Sequence, residues 1–198
     1  MTWPLFDLRL RTGDLVLRPM TEADLPELEA LLPDDVELNP FLPMPGRRWG
    51  LAQTYWHALG TWSVDDWRLQ CVVLRDGEVL GVQELEGKDF VRLRTVDSAS
   101  WLIRSARGRG VGKAMRGAVL GLAFQHMDAA AAVTSAWHDN SASLGVSRSL
   151  GYRDNGVELV RRGDGVAEMV HLRLRRVEWV GTDVQVEGFD ACRPLFGL

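Results

Sequence analysis

The chain has 198 residues, 46% of them hydrophobic and 25% charged, with a formal net charge of −4; one globular domain with a substantial core is the expectation. That balance gives no general attraction for nucleic acid, no apolar run approaches membrane-spanning length, and Met1-Thr2-Trp3-Pro4-Leu5-Phe6 lacks the cationic and apolar regions of a secretion signal. Cys71 and Cys192 are far apart in sequence and suggest neither a disulfide framework nor a metal site, so a cytoplasmic protein without a bound metal is expected.

The elements follow in a readable order. Leu15-Val16-Leu17-Arg18-Pro19-Met20 reads as a strand stopped by its proline. Thr21 caps a helix that begins at Glu22, with Asp24 at its positive dipole end, Leu25, Leu28, Leu31 and Leu32 on its buried face, and Pro33 closing it. A loop carrying Pro40, Pro43, Pro45 and Gly46 leads to a second helix near Trp49 to Leu59, where Trp49 and Trp56, seven apart, suit one helix face. Leu69 to Leu74 and Glu78 to Leu85 are strands joined by a hairpin turn at Arg75-Asp76-Gly77. Val96 to Ile103 is the next strand. Val111, Met115, Ala118, Val119 and Leu122 then recur at helical spacing, predicting a helix to Met127 with one face on a sheet. Ala132 to Ala136 reads as a buried strand, Ser141 to Leu150 as a helix capped by Gly151, and Tyr152 to Val160 with Val166 to Leu174 as a closing antiparallel pair. Val180, Val184 and Val186 repeat a strand-like pattern in the tail. The expectation is one mixed α/β domain over residues 1–198, with 177–198 as a C-terminal extension.

Between the strand ending at Ile103 and the long helix lies Arg107-Gly108-Arg109-Gly110-Val111-Gly112-Lys113. Strand, glycine turn and helix start make a phosphate cradle: glycines admit close approach of an anion, and the first helical N–H groups have no partner within the helix. Three cations surround the turn, so a diphosphate is the natural guest. A Walker loop is excluded, because Gly108 and Gly112 enclose only three residues and Ala114 stands where a hydroxyl must reach magnesium. A dinucleotide fingerprint fails as well, with Lys113 where its third glycine belongs. The plainer reading is a basic loop capping an ordinary helix.

R-x-x-G-x-G at Arg107 to Gly112, Asn140-Ser141-Ala142-Ser143 ahead of Leu150-Gly151-Tyr152, and Leu15-x-Leu17-Arg18-Pro19 together resemble the GNAT superfamily of N-acyltransferases, and within it the ribosomal-protein (Rim-type) branch. The resemblance spans roughly residues 8 to 176. Val96-Asp97-Ser98-Ala99-Ser100-Trp101 and the tail from Gly188 to Phe196 are also similar to an actinobacterial subgroup with bulkier acyl donors, succinyl-CoA among them.

The resemblance implies a twisted, mixed, mostly antiparallel sheet flanked by helices, with central strands splayed to admit acyl-CoA. Backbone groups of Trp101, Leu102 and Ile103 would pair with the pantetheine arm, the amides of Gly108, Arg109, Gly110, Val111, Gly112 and Lys113 would wrap the diphosphate beside Arg107, and Asn140 would hold the pantetheine from the other wall. No metal is implied. Amine acylation needs a base to take the ammonium proton, donors for the oxyanion, and an acid for the departing thiolate. Ser143 matches the acid position, although a first-turn serine bonded to nearby backbone is the plainer alternative. The base stays open among Asp97, Glu84, which shares a strand face with Glu86, His138, and a water.

The expected function is transfer of an acetyl or succinyl group from acetyl-CoA or succinyl-CoA to a protein N-terminus, a lysine or a small amine, through a ternary complex. A non-catalytic acyl-CoA sensor would carry the same cradle, and a module for another nucleotide is the third reading. Trp62 and Trp67 line either the core or a substrate entrance. Arg47-Arg48 is either a solvated pair or a recognition site for an acidic group. The apolar tail, ending Arg193-Pro194-Leu195-Phe196, docks on its own domain or on a second subunit, and a homodimer or higher homo-oligomer is expected.

Overall fold

A computed structural model describes residues 3–37 and 47–198; the proline loop at Pro40, Pro43, Pro45 and Gly46 and the side chains of Arg47 and Arg48 lie outside the described residues. β1 (Arg9–Thr12) and β2 (Leu15–Pro19) form a hairpin, and β2 runs antiparallel to β3 (Trp67–Arg75). The turn into β4 (Glu78–Gly87) places Asp76 and Gly77 at φ +51° and +86°, the positive pair whose twist matches a two-residue hairpin. β5 (Thr95–Asp97), β6 (Ser100–Leu102), β7 (Ala131–Trp137), β8 (Arg153–Arg162), β9 (Gly165–Arg175) and β10 (Gln185–Glu187) complete the strands. Their order across the sheet is β10-β1-β2-β3-β4-β5-β7-β9-β8, with β6 on β4 alone. All pairings are antiparallel except β5 with β7.

Helices cover both faces. The capping box between Thr21 and Asp24 starts a single 3₁₀ turn that becomes α1 (Leu25–Leu31), and Asp24 is further fixed by the Arg18 guanidinium at 2.6 and 2.8 Å. α1 and α2 (Arg47–Gly60) pack Leu25, Leu28, Leu51 and Tyr55 on Val72, Val82 and Trp101. After the single turn α3 (Phe90–Leu93), α4 (Val111–Gly121) covers the other face with every residue of the predicted stripe buried, and its last turn widens to a π-helix over Leu122–His126. α5 (Ser141–Ser149) lies beside it, ended by Gly151 at φ +96°.

Two expectations differ, at residues 96–103 and in the tail. Residues 96–103 are two short strands broken at Ser98-Ala99. The face of α2 that carries Trp49 and Trp56 is the outward one, 54% and 47% exposed, because Leu51, Ala52, Tyr55 and Ala58 form the packed face. In the tail only Gln185–Glu187 is a strand, and the chain then folds through α6 (Phe189–Cys192) onto the core. Trp67 is core, ringed by Trp62, Phe90 and Phe196.

Candidate active site

The break at Ser98-Ala99 forks the sheet. β5 is held on both sides, Asp97 opposite Glu86 of β4 and Val133 of β7. One step further, Thr134 Oγ1 donates to the Ser98 carbonyl at 3.0 Å, and the Gln83 amide donates to the carbonyls of Glu84 and Ala99 at 2.9 and 3.0 Å. These side chains satisfy the carbonyls of the broken ladder. Beyond them β6 stays with β4 while β7 continues paired only with β9, which opens a wedge-shaped cleft.

Antiparallel alternation decides which backbone groups face that cleft. Ile103 N–H donates to Leu80, and Glu84 N–H to Ala99; Trp101, between them, shares the β4-facing set. The carbonyl of Ile103 is taken by Ala106 N–H. Of the three strand residues singled out from sequence, only Leu102 turns its N–H to the opening. Ser100 does likewise with both its groups, and the alternation of the pairing is the signal that finds it. The Leu102 carbonyl accepts from Arg107 Nε at 3.0 Å.

The glycine turn delivers the helix start to the same place. Gly108 and Gly110 adopt φ +71° and +82° with nothing within 4 Å of an added Cβ, so conformation rather than space requires glycine there. Gly110 is the N-cap of α4, and the amides of Val111, Gly112 and Lys113 point outward beside the exposed Arg109 and Lys113. Gly112 sits where three elements converge: an added Cβ would lie 3.5 Å from Val146 of α5 and 3.8 Å from Leu102. Arg107 is directed elsewhere, its two terminal nitrogens on the Asp35 carboxylate at 2.6 and 3.0 Å.

The facing wall is β7 with α5. Asn140 caps α5, its Oδ1 accepting from Ser143 N–H at 3.1 Å, which leaves the amide nitrogen to donate elsewhere. The Ser143 carbonyl accepts from Ser147 Oγ at 3.0 Å, while the Ser143 hydroxyl has no hydrogen bond among the described residues. Arg116 of α4 bridges the walls, donating to Ser147 Oγ at 2.6 Å and Ser100 Oγ at 3.4 Å. A continuous polar path thus links Ser143 to Ser100. His138 is exposed, its main-chain N–H held by the Glu168 carbonyl.

Charge is distributed unevenly about the fork. On the α1/α2 face Glu84, Glu86 and Asp97 surround one cation, Arg68, 2.6 Å from Glu86 and 3.9 Å from Glu84. Burial pushes Asp97 up to about 6, with Glu86 adding to the rise and the Ser98 N–H, at 2.6 Å, opposing it. Burial also raises Glu84, against the pull of Arg68 and the Gln70 amide. On the α4/α5 face Arg116 is 4% exposed and has no ion-pair partner among the described residues. Beside it the Tyr152 hydroxyl lies against Ser98, Asp97 is near enough to oppose the burial that lowers the arginine's pKa, and its own Nε is buried without a hydrogen-bond partner among the described residues. Burial takes the Cys71 thiol to about 12 and Cys192 to about 11, so neither is a nucleophile near neutral pH.

The site therefore offers strand and helix N–H donors, carboxylates near one fork and an unbonded hydroxyl on the opposite wall. A family model described as an acetyltransferase (GNAT) domain matches residues 14–153. Among solved structures the fold is similar to that of Mycobacterium smegmatis RimJ in complex with CoA-disulfide, at 19% identity over 97% of this chain and 96% of that chain, with a TM-score of 0.72. It is similar also to RimL, a ribosomal L7/L12 alpha-N-protein acetyltransferase, at 19% identity over 83% and 91% of the two chains, TM-score 0.67. A chimera of spermidine N-acetyltransferase SpeG from Vibrio cholerae and hSSAT matches at 14% identity over 83% and 97%, TM-score 0.67.

Proposed function

The chain belongs to the GNAT acetyltransferase family, and from that premise we propose that it is a CoA-dependent N-acyltransferase acting on a primary amine by direct transfer in a ternary complex. The observation that carries this reading is the forked sheet, whose opening is lined by the N–H groups of Leu102 and Ser100 and leads to the glycine turn at Gly108–Gly112. The amides of the turn, with Arg109 and Lys113, hold the diphosphate. Leu102 pairs with the pantetheine arm, and Asn140 donates to it from the other wall.

The chemistry follows from those positions. Asp97 takes the ammonium proton; its raised pKa makes it a base suited to neutral pH, whereas Glu84 is committed to Arg68 and Gln70. The amine nitrogen then bonds to the thioester carbonyl carbon, and the oxyanion faces the Ser100 N–H. As the carbonyl re-forms and the C–S bond breaks, the Ser143 hydroxyl gives its proton to the thiolate, and the second proton of the attacking nitrogen, passed through water, restores the hydroxyl and leaves a neutral amide. Three carboxylates against one arginine favour a cationic acceptor, and a protein N-terminus fits that charge as the acceptor named for RimL. A lysine or a small polyamine is the alternative.

Acetyl-CoA is the family's donor. A second donor, succinyl-CoA, is favoured by one observation: Arg116 holds a buried charge on the hydroxyls of Ser147 and Ser100 and has no ion-pair partner among the described residues, an environment that a ligand carboxylate would complete. We place the enzyme in the cytoplasm, as a homodimer or higher homo-oligomer; the exposed apolar residues Val157, Leu159 and Val166 near the β8 edge support association. Calorimetry with CoA, acetyl-CoA and succinyl-CoA, with ATP and NAD as controls, followed by thiol release in the presence of amines, tests the reading. Binding of CoA species alone, with turnover, is the expected result. Binding without turnover on any amine identifies an acyl-CoA sensor, and no CoA binding overturns both.

A further inference from the structure

The segment from Pro33 to Glu37 leaves α1 and fastens to both walls of the cleft. On one side Asp35 receives Arg107 in a bidentate pair, and Arg107 is itself hung from β6 through Nε and the Leu102 carbonyl. On the other side Glu37 accepts from Trp137 Nε1 at 3.1 Å, at the end of β7, and from Arg162 at 2.7 and 3.1 Å. Arg162 is held in turn by Asp139 at 2.9 Å and lies 4.8 Å over the Trp137 ring. Between these attachments Val36 packs on the cluster that contains Trp101. Asp35 and Glu37 are two residues apart, so their backbones span at most about 7 Å. Walls that the forked sheet leaves free to diverge are tied together by five residues.

We infer that Asp35 and Glu37 are positioning residues that fix a strap across the acceptor side of the cleft, and that Arg107 is the peg of this strap rather than a ligand of the diphosphate. The guanidinium presents its forked edge to one planar anion at a time, and Asp35 occupies that edge. Each exposed pair is weak alone. Their joint effect is to order the strap before the pantetheine arm lies against it, which lowers the cost of binding the arm. The inference rests on the acyl-CoA reading above.

The test is calorimetry with two probes: CoA, and 3′-phosphoadenosine 5′-diphosphate, which keeps the diphosphate and lacks the pantetheine arm. Asp35→Asn and Glu37→Gln should each weaken CoA binding by about three- to tenfold and leave the nucleotide unchanged. The double variant should be little worse than either single one, because release of one end frees the strap, and Asp35→Glu should recover most of the loss. Tighter binding of either probe by Asp35→Asn would show Asp35 competing with phosphate for Arg107, and overturn the inference. So would CoA affinity indifferent to either substitution. The wild-type titration decides the acyl-CoA reading separately: without CoA binding both fall, whereas a wild type that binds CoA beside variants that match it removes the strap alone.

Discussion

Asp97 is where activity and stability pull in opposite directions. Its carboxyl titrates near 6, against an ordinary 3.8, because burial and Glu86 disfavour the charge. A base must be ionised, so kcat/KM should rise with pH through about 6, and Asp97→Asn should remove that limb and lower kcat at least about a hundredfold. The stability sign is reversed. The folded state holds this proton more tightly than the unfolded chain, so stability is lost as pH rises from about 4 through 6. Asp97→Asn should therefore stabilise the fold by about 3 kcal/mol at pH 8, a gain that vanishes below pH 4, as thermal melts across pH will show. Ser143→Ala gives the complementary result: with no hydrogen bond to lose, the melting temperature and CoA affinity should hold while kcat falls by about tenfold or more. Ser143 was singled out by the N-x-x-S motif, and Asp97 as one of several candidate bases. Arg116 was not. It follows Met115 in a helix read by its apolar stripe, and a charge beside the stripe reads as solvated; it is buried because α5 and β6, distant in sequence, close over it.

Among elements, β6 depends on one close approach. A Cβ on Gly81 would fall 2.2 Å from the Trp101 carbonyl and 2.9 Å from the Leu102 Cα, so β4 meets β6 there backbone to backbone. Gly81→Ala should destabilise the protein by about 2 to 3 kcal/mol and, by displacing β6, weaken CoA binding; denaturant unfolding and calorimetry measure the two effects. Most elements could be read from periodicity alone, α4 above all, because its apolar stripe is long and regular. The fork could not. Residues 96–103 read as one strand between apolar ends, and the carbonyls exposed where it breaks are taken by the side chains of Gln83 and Thr134, which no local pattern reveals. Trp49 and Trp56 show a related limit: a spacing of seven places two residues on one face, and tertiary packing decides which face is inside.

The whole molecule treats the two edges of its sheet differently. On one edge β10 pairs with β1, and the following chain buries Phe189, Cys192 and Phe196 completely or nearly so, with Trp62 Nε1 donating to the Leu195 carbonyl at 2.9 Å. The expected docking of the tail is thus met within the chain itself. Phe196 contacts Trp62, Trp67 and Phe189, so Phe196→Ala should cost about 3 to 5 kcal/mol in chemical denaturation. Among the described residues no strand pairs with the opposite edge. β8 is the last strand of the sheet; Val157 and Leu159 on it are 61% and 72% exposed, and Val166 of β9, opposite Arg161, is 70% exposed. A long strand edge with exposed apolar residues is a template for pairing with another chain. If the proposed oligomer forms there, Leu159→Arg should convert it to a monomer in sedimentation velocity. The melting temperature of the monomer should remain within a few degrees of the parent at low concentration, since Leu159 contributes little to the fold of its own chain. An unchanged sedimentation coefficient in that variant would move the interface away from β8.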